Sequence, residues 1–259
     1  MNNLPINQII CGDCLEVMRT FPDKSIDMIL CDLPYQITAC SWDQIIPLEL
    51  LWEQYKRLIR DNRAIVLTAS QPFTSKLVMS NENMFKYEWI WEKSRGGNFF
   101  NLKNQPWKMH ETILVFSNGT VANKSNRRML YNPQDLQKID KKWKNSHLPK
   151  SEHNNHRPSH TSERIIEYGN YPKSILRYSN SNNQRLHPTQ KPVELFEYLI
   201  KTYTNEGDLV LDNCAGSCTT AIAADNLKRN WICIEKEETY CEIGNQRIKE
   251  SKQQITIFE

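Results

Sequence analysis

Four short, largely apolar runs constrain this chain more than anything else in it. They are Ile26 to Cys31, Ala64 to Thr68, Asp208 to Leu211 and Trp231 to Ile234. The first is apolar except for Asp27, the pattern of a strand covered on both faces. Residues 7–11, Tyr87 to Trp91 and Thr112 to Phe116 read as further strands. Helical segments are predicted at 13–21, 47–60 (with Pro47 in the first turn), 72–80, 192–203, 217–227 and 238–252. Buried parallel strands need crossover helices, so this alternation predicts an α/β fold with a mostly parallel sheet. In such sheets ligands bind beyond the carboxyl ends of the strands. That rule selects Gly12-Asp13-Cys14, Asp32 to Tyr35, Asp212 to Cys218, and Glu235.

The alternation stops between 118 and 186. This segment is rich in Asn, Ser, Lys and His, and no helical or strand period persists in it. It holds 13 Lys and Arg against 5 Asp and Glu, a net of +8, whereas the whole chain carries only +3. A basic block inside an otherwise acidic chain is the footprint expected for a polyanionic partner. A solvated insertion is the alternative.

Other classes are disfavoured by what is scarce. Only 8 of the 259 residues are Gly, and nowhere do they spell a dinucleotide fingerprint or a phosphate-cradling loop. Met1 to Ile10 has no basic region followed by an apolar core, and no apolar stretch approaches the roughly 20 residues that cross a bilayer. A soluble, cytoplasmic chain with no membrane partner is expected. Cys11-x-x-Cys14 and Cys214-x-x-x-Cys218 could be read as zinc half-sites. Neither has a second pair close by, and several of the 8 cysteines sit in apolar runs, so reduced packing thiols and no metal are expected.

Two strand ends carry chemistry. In Asp32-Leu33-Pro34-Tyr35, Pro34 restrains Leu33 to extended geometry. The Asp32 carboxylate and the Leu33 carbonyl are then two acceptors suited to an exocyclic amine, with Tyr35 a face for stacking. An ordinary Asx turn is the alternative. The second is Asp212-Asn213-Cys214-Ala215-Gly216-Ser217-Cys218-Thr219-Thr220, a tight loop opening a helix that Ser217 or Thr219 could cap. Glu235 follows at the end of the next strand, where a βαβ unit binds a ribose hydroxyl.

Together these motifs resemble the amino-methylating DNA methyltransferases. Asp32 to Tyr35 is similar to their catalytic Asp-Pro-Pro-Tyr. Asp212 to Thr220 is similar to their cofactor loop, His187-Pro188-Thr189-Gln190-Lys191-Pro192 to the element before that loop, and Ile10 to Glu16 to their opening segment. The catalytic motif comes first and the cofactor loop last, the order of the β group. The resemblance implies a Rossmann-like, circularly permuted class I methyltransferase fold. Residues 1–117 would be its catalytic part, 118–186 an inserted target-recognition region, and 187–259 its cofactor-binding part. It implies S-adenosylmethionine as methyl donor, double-stranded DNA as partner and a restriction-modification setting. It is also compatible with a homodimer.

The resemblance also implies roles. Asp32, Leu33, Pro34 and Tyr35 would receive a flipped base, and Asp at the first position points to adenine N6. Asp13 and Cys14 would meet the cofactor's adenine and Glu235 its ribose. Thr189 and Lys191, with the loop residues Asp212, Asn213, Cys214, Gly216 and Ser217, would hold the rest of it. Leu33, Asn213, Cys214 and Cys218 depart from the family pattern, and a side chain at Cys218 is expected to crowd the cofactor carboxylate. Lys124, Arg127, Arg128, Lys141, Lys142 and Lys144 are candidates for phosphate contacts, with Trp143 against sugar or base. The loop Ser94 to Trp107 is expected to close over the flipped base, with Gly96-Gly97 as hinge and Phe99-Phe100 as cover, or else to be a surface loop without a role. Methylation of cytosine N4 or of an RNA base, and a non-catalytic DNA-binding protein, are the competing readings.

Overall fold

The computed structural model describes residues 4–35, 44–144, 163–180 and 190–258. The elements in chain order are β1 (Gln8–Cys11), α1 (Cys14–Arg19), β2 (Ile26–Asp32), α2 (Leu48–Leu58), β3 (Ile59–Ala69), α3 (Phe73–Ser80), β4 (Phe85–Gly97), β5 (Lys108–Ser117), β6 (Gln137–Lys144), β7 (Glu163–Gly169), β8 (Ile175–Tyr178), α4 (Val193–Tyr203), β9 (Leu209–Asp212), α5 (Thr219–Asn226), β10 (Asn230–Glu235) and α6 (Glu238–Phe258). Eight strands form one sheet in the order β1-β10-β9-β2-β3-β5-β4-β8. The first five run parallel, β5 is antiparallel to both β3 and β4, and β8 is parallel to β4.

The period of two along β2 sorts its side chains onto two cores. Met28 and Leu30 pack with α4 and α5, while Ile29 and Cys31 pack with α1, α2 and α3. Asp27, the polar exception in β2, is 2% exposed. It survives burial because it is fully paired. Arg60 reaches its two oxygens at 2.7 and 2.8 Å, Arg63 lies 3.2 Å away, and the Leu209 amide donates to it at 3.0 Å. One buried carboxylate thus ties β2, β3 and β9 together at their amino ends.

The chain divides into two compact units, residues 1–132 with 174–259, and residues 133–173. The smaller unit contains the antiparallel pair β6–β7. Its limits are narrower than the segment 118–186 that composition marks, since residues 118–132 and β8 belong to the larger unit. Strands are present there although no strand period persists in the sequence. β6 and β7 place Lys, Glu and Arg at strand positions, so neither shows the apolar alternation by which a half-buried strand is read. Pro47 also lies just outside α2, as its N-cap, rather than in its first turn.

Candidate active site

Five parallel strands deliver their carboxyl ends to one edge. The register pairs Cys11 with Glu235, Cys233 with Asp212, and Asp32 with Thr68. Gly12 to Cys14, Glu235, Asp212 and Asp32 therefore lie along neighbouring strand ends, as the strand-end rule predicts. Thr189 lies outside the described residues.

Asp32 ends β2 in a dense hydrogen-bond network. Its Oδ1 accepts from the Tyr35 hydroxyl at 2.5 Å and from the Thr68 hydroxyl. Its Oδ2 accepts from Lys191 Nζ at 2.5 Å. Leu33 turns its side chain into the core. The Tyr35 ring stacks on Phe73, with centroids 5.4 Å apart and planes 28° apart. Burial, and next the negative charge of Asp32, push the Tyr35 phenol well up, so it acts as a donor. One ring face is thus already in contact with Phe73, and the hydroxyl is committed to Asp32 and Thr68.

Lys191, expected beside the cofactor, makes its side-chain contacts with two carboxylates. Its Nζ joins Asp32 to Glu111 of β5, 3.5 Å from Glu111 Oε2. Burial works to lower the Lys191 ammonium, yet the two carboxylates outweigh it and hold it above its usual range. Burial likewise raises Glu111, but Lys191 and Lys93 prevail and hold it low. Lys93 pairs with Glu111 Oε1. Sequence reasoning missed Thr68, Phe73, Lys93 and Glu111. Thr68 ends a predicted strand, a position the strand-end rule could have examined. Glu111 lies within the antiparallel strand β5, ahead of the apolar run from Ile113, and the pairing of Ala69 with Thr112 brings it to this edge.

The loop between β9 and α5 is held from several sides. Asp212 Oδ2 accepts from Thr220 Oγ1 at 2.5 Å, and its Oδ1 from the Cys214 amide at 3.1 Å. Burial pushes its carboxyl up to about 7, against the lowering effect of those bonds. Asn213 Oδ1 accepts from the buried Tyr55 hydroxyl at 2.5 Å. Arg247 of α6 donates to the Ser217 carbonyl at 2.8 Å and to Thr219 Oγ1 at 3.0 Å. Glu235 Oε2 accepts from the Gly216 amide at 2.7 Å, and Oε1 from the Glu237 amide at 2.9 Å. Asp13 caps α1, its Oδ1 accepting from the Leu15 and Glu16 amides at 2.9 and 3.3 Å. A thiol hydrogen bond between Cys14 and Cys214 pulls Cys14 down and pushes Cys214 up, joining the β1 end to the loop. Tyr55 and Arg247 carried no signal in sequence, because each acts from a distant helix.

The expected helix cap is corrected. Neither Ser217 nor Thr219 caps α5. The N-cap is Cys218, in the left-handed region at φ 59° and with no side-chain cap bond. The hydroxyls of Ser217 and Thr219 face Arg247 instead. Cys218, expected to crowd the cofactor carboxylate, packs against α6. It is fully buried, and a Cβ on Gly244 of α6 would lie 2.5 Å from its Sγ. The space that a glycine at 218 would leave is taken by the thiol, and the missing side chain at 244 makes room for it.

In the segment from Ser94 to Trp107, Gly96 and Gly97 lie within a strand. β4 runs through Gly97, which pairs with Lys108. A Cβ on Gly96 would lie 2.3 Å from Trp107 Nε1, so Gly96 seats that ring. Phe99 and Phe100 are 64% and 97% exposed at the tip of this hairpin.

A family model described as DNA methylase, covering N6 and N4 amino-methylating enzymes, matches residues 26–246. The chain belongs to the DNA methylase family. Among its relatives, the type II methyltransferase M.HinfI of Haemophilus influenzae is 24% identical over 95% of this chain and 69% of its own. The crystal structure of the M1.HpyAVI–SAM complex superposes with a TM-score of 0.62 at 25% identity, over 93% of this chain and 98% of that one. The cytosine-N4-specific PvuII DNA methyltransferase gives a TM-score of 0.62 at 16% identity, over 97% and 93% of the two chains. The DNA methylase fold described above is thus shared with an N4-cytosine enzyme, so the fold does not choose the base. Among the described residues no helix of this methylase is long and apolar enough to cross a membrane.

The basic candidates fall in both units. Lys124, Arg127 and Arg128 are exposed on the larger one, where Arg127 also donates to the Asn118 carbonyl at 3.1 Å. Lys141, Lys142, Trp143 and Lys144 lie on β6 of the smaller one, paired with Ile166, Ile165, Arg164 and Glu163 of β7. Lys141 and Lys142 are exposed.

Proposed function

We propose that this DNA methyltransferase methylates the exocyclic N6 of an adenine flipped out of duplex DNA. The observation that carries this reading is Asp32, a carboxylate at a strand end beside the cofactor loop and surrounded by donors that fix its orientation. An exocyclic amine is a poor nucleophile, because its lone pair is delocalised into the ring. Asp32 and the Leu33 carbonyl accept its two hydrogens and favour a tetrahedral nitrogen. As the nitrogen bonds to the methyl group, positive charge grows on it, and the Asp32 carboxylate stabilises that charge. The remainder is positioning of two bound reactants. The target atom is out of reach inside a duplex, so the base is extruded. The Tyr35 face not occupied by Phe73 takes over part of its lost stacking.

S-adenosylmethionine is the methyl donor of this family, and its sulfonium supplies an activated methyl group. The residues here fit it. Each Glu235 oxygen accepts one backbone amide, which leaves lone pairs for ribose hydroxyls. Asp13 Oδ1 is used in capping, so Oδ2 is the oxygen for the adenine. Ser217 and Gly216 stand before the first turn of α5, whose free amides suit a carboxylate. Asp212, Asn213 and Cys214 shape the loop from beneath. Thr189 is assigned to the methionine end. Lys191 is assigned to Asp32.

Residues 133–173, with the exposed Lys124, Arg127 and Arg128, serve target recognition in this reading. Lys141, Lys142 and Lys144 meet phosphates and Trp143 the sugar or base. The hairpin tip carrying Phe99 and Phe100 faces the flipped base. Digesting DNA methylated by the enzyme to nucleosides tests the assignment. N6-methyldeoxyadenosine is expected, and N4-methyldeoxycytidine would replace the adenine reading with the other amino-methylating one. Charge reversal at Lys141, Lys142 and Lys144 should flatten the salt dependence of DNA binding by roughly one unit of slope per lost contact. An unchanged slope removes β6 from the DNA interface.

A further inference from the structure

The acceptor that the target amine needs is already occupied by a cation. Asp32 Oδ2 bonds Lys191 Nζ at 2.5 Å, and Oδ1 carries two hydroxyl donors. A carboxylate has about four lone-pair sites, so three of them are in use. A charged ammonium at that distance also works against chemistry that builds positive charge on a nitrogen held by the same carboxylate. Lys191 cannot withdraw into solvent, because its side chain is 6% exposed. Its alternative partner stands on its other side. Glu111 Oε2 is 3.5 Å from Nζ, fully buried, and makes no hydrogen bond among the described residues. Glu111 is held in place by Lys93 on its other oxygen. A buried carboxylate oxygen left without a hydrogen bond calls for a partner that reaches it in another arrangement.

We infer that Glu111 is a positioning residue that takes Lys191 from Asp32 when the target amine docks, so that Asp32 is screened by the lysine before docking and free to accept the amine after it. A shift of less than 1 Å in Nζ would turn the 3.5 Å separation into a hydrogen bond. The buried charge stays paired throughout, which is what makes the transfer accessible. The Lys191 ammonium also sits 5.9 Å from the Tyr35 ring centroid, so its movement alters the face on which the base is received.

The inference rests on Asp32 as acceptor of the amine, and the test separates the two. The substrate is a duplex carrying the site mapped by sequencing methylated bases in a host that expresses the chain. S-adenosylmethionine affinity is measured by calorimetry, single-turnover methylation by product analysis, and base extrusion by 2-aminopurine fluorescence at the target position. Glu111→Gln is expected to slow methylation by about tenfold or more and to lower the extrusion signal, with cofactor affinity unchanged within about twofold. Glu111→Asp, which keeps the charge, is expected to recover much of the loss. Methylation by Glu111→Gln at the wild-type rate overturns the inference. So does a loss of cofactor affinity as large as the loss of rate, which would place Lys191 on the cofactor, or a failure of Glu111→Asp to recover more than Glu111→Gln. Asp32→Ala is the control for the underlying reading. If it still methylates, the assignment of Asp32 fails, whatever Glu111 does.

Discussion

At the β9–β10 end of the strand edge, every carboxylate accepts at least one backbone amide. Glu235 accepts from the Gly216 and Glu237 amides, Asp212 from the Cys214 amide and the Thr220 hydroxyl, and Asp13 from the Leu15 and Glu16 amides. At the β2–β5 end, among the described residues, the Asp32 and Glu111 carboxylates are held by side chains: Tyr35, Thr68, Lys191 and Lys93. Amides of the main chain cannot change partner without refolding the loop. Long side chains can, at the scale of a rotamer. A cofactor subsite gains from a fixed mould, whereas a site that must accept an extruded base gains from partners that exchange. The two ends of one sheet edge differ in rigidity because they draw their donors from different parts of the residue.

Five substitutions bear on that contrast, from the largest effect to the smallest. Asp32→Ala should lower the methylation rate by roughly 10²–10³-fold while cofactor affinity, measured by calorimetry, stays within about twofold. A matching fall in both would mean that the two ends are not separable. Asp212→Asn tests how firmly the loop is buried. The folded Asp212 carboxyl titrates at about 7, above its unfolded value of 3.8. A raised carboxylate adds stability below the unfolded value and loses it as pH rises through the folded one. Wild type should therefore lose on the order of 2–4 kcal/mol relative to Asp212→Asn between about pH 4 and pH 7, and nothing further above that. Denaturant titrations across this range check it, and parallel curves would show that Asp212 is not buried as a charge.

Gly244→Ala should cost about 1–3 kcal/mol, because its Cβ would meet Cys218 Sγ at 2.5 Å. Adding Cys218→Gly should recover part of that loss, since it removes the closer clash, leaves Ile9 Cδ1 at 2.9 Å, and places a glycine at φ 59°. Additive losses in thermal melts would mean that the two positions do not exchange volume. The smallest effect is expected at Glu235→Gln. Its new amide would face one of the two backbone donors, at about 1–2 kcal/mol, or roughly tenfold in cofactor affinity, with DNA binding unchanged. Equal affinity would show that the mould does not depend on this carboxylate.

The sequence made the sheet legible because its strands are buried on both faces, so β2, β3, β9 and β10 appear as apolar runs in almost any packing. It also placed the strand-end motifs, since order along the chain and strand direction fix which residues reach the carboxyl edge. It missed β6 and β7, whose charged and polar residues at strand positions hide the alternation. It did not reveal the partners of Lys191 and Cys218, for one shared reason. Each lies in a motif whose neighbours suggest one partner, while its own side chain is taken by an element far away in the chain.

By itself, then, the sequence determined the parallel α/β sheet, the Asp32 and Asp212 to Glu235 strand ends, and the basic composition of the middle segment. These follow from local burial patterns, chain order and charge. Only the tertiary structure decided that Lys191 stands between Asp32 and Glu111, that Arg247 and Tyr55 brace the cofactor loop, and that Gly244 makes room for Cys218. Each of those contacts joins side chains from elements that are not neighbours in sequence. The direction of a long side chain is set by the space and charge its neighbours leave, and that is fixed only when the helices and strands have packed.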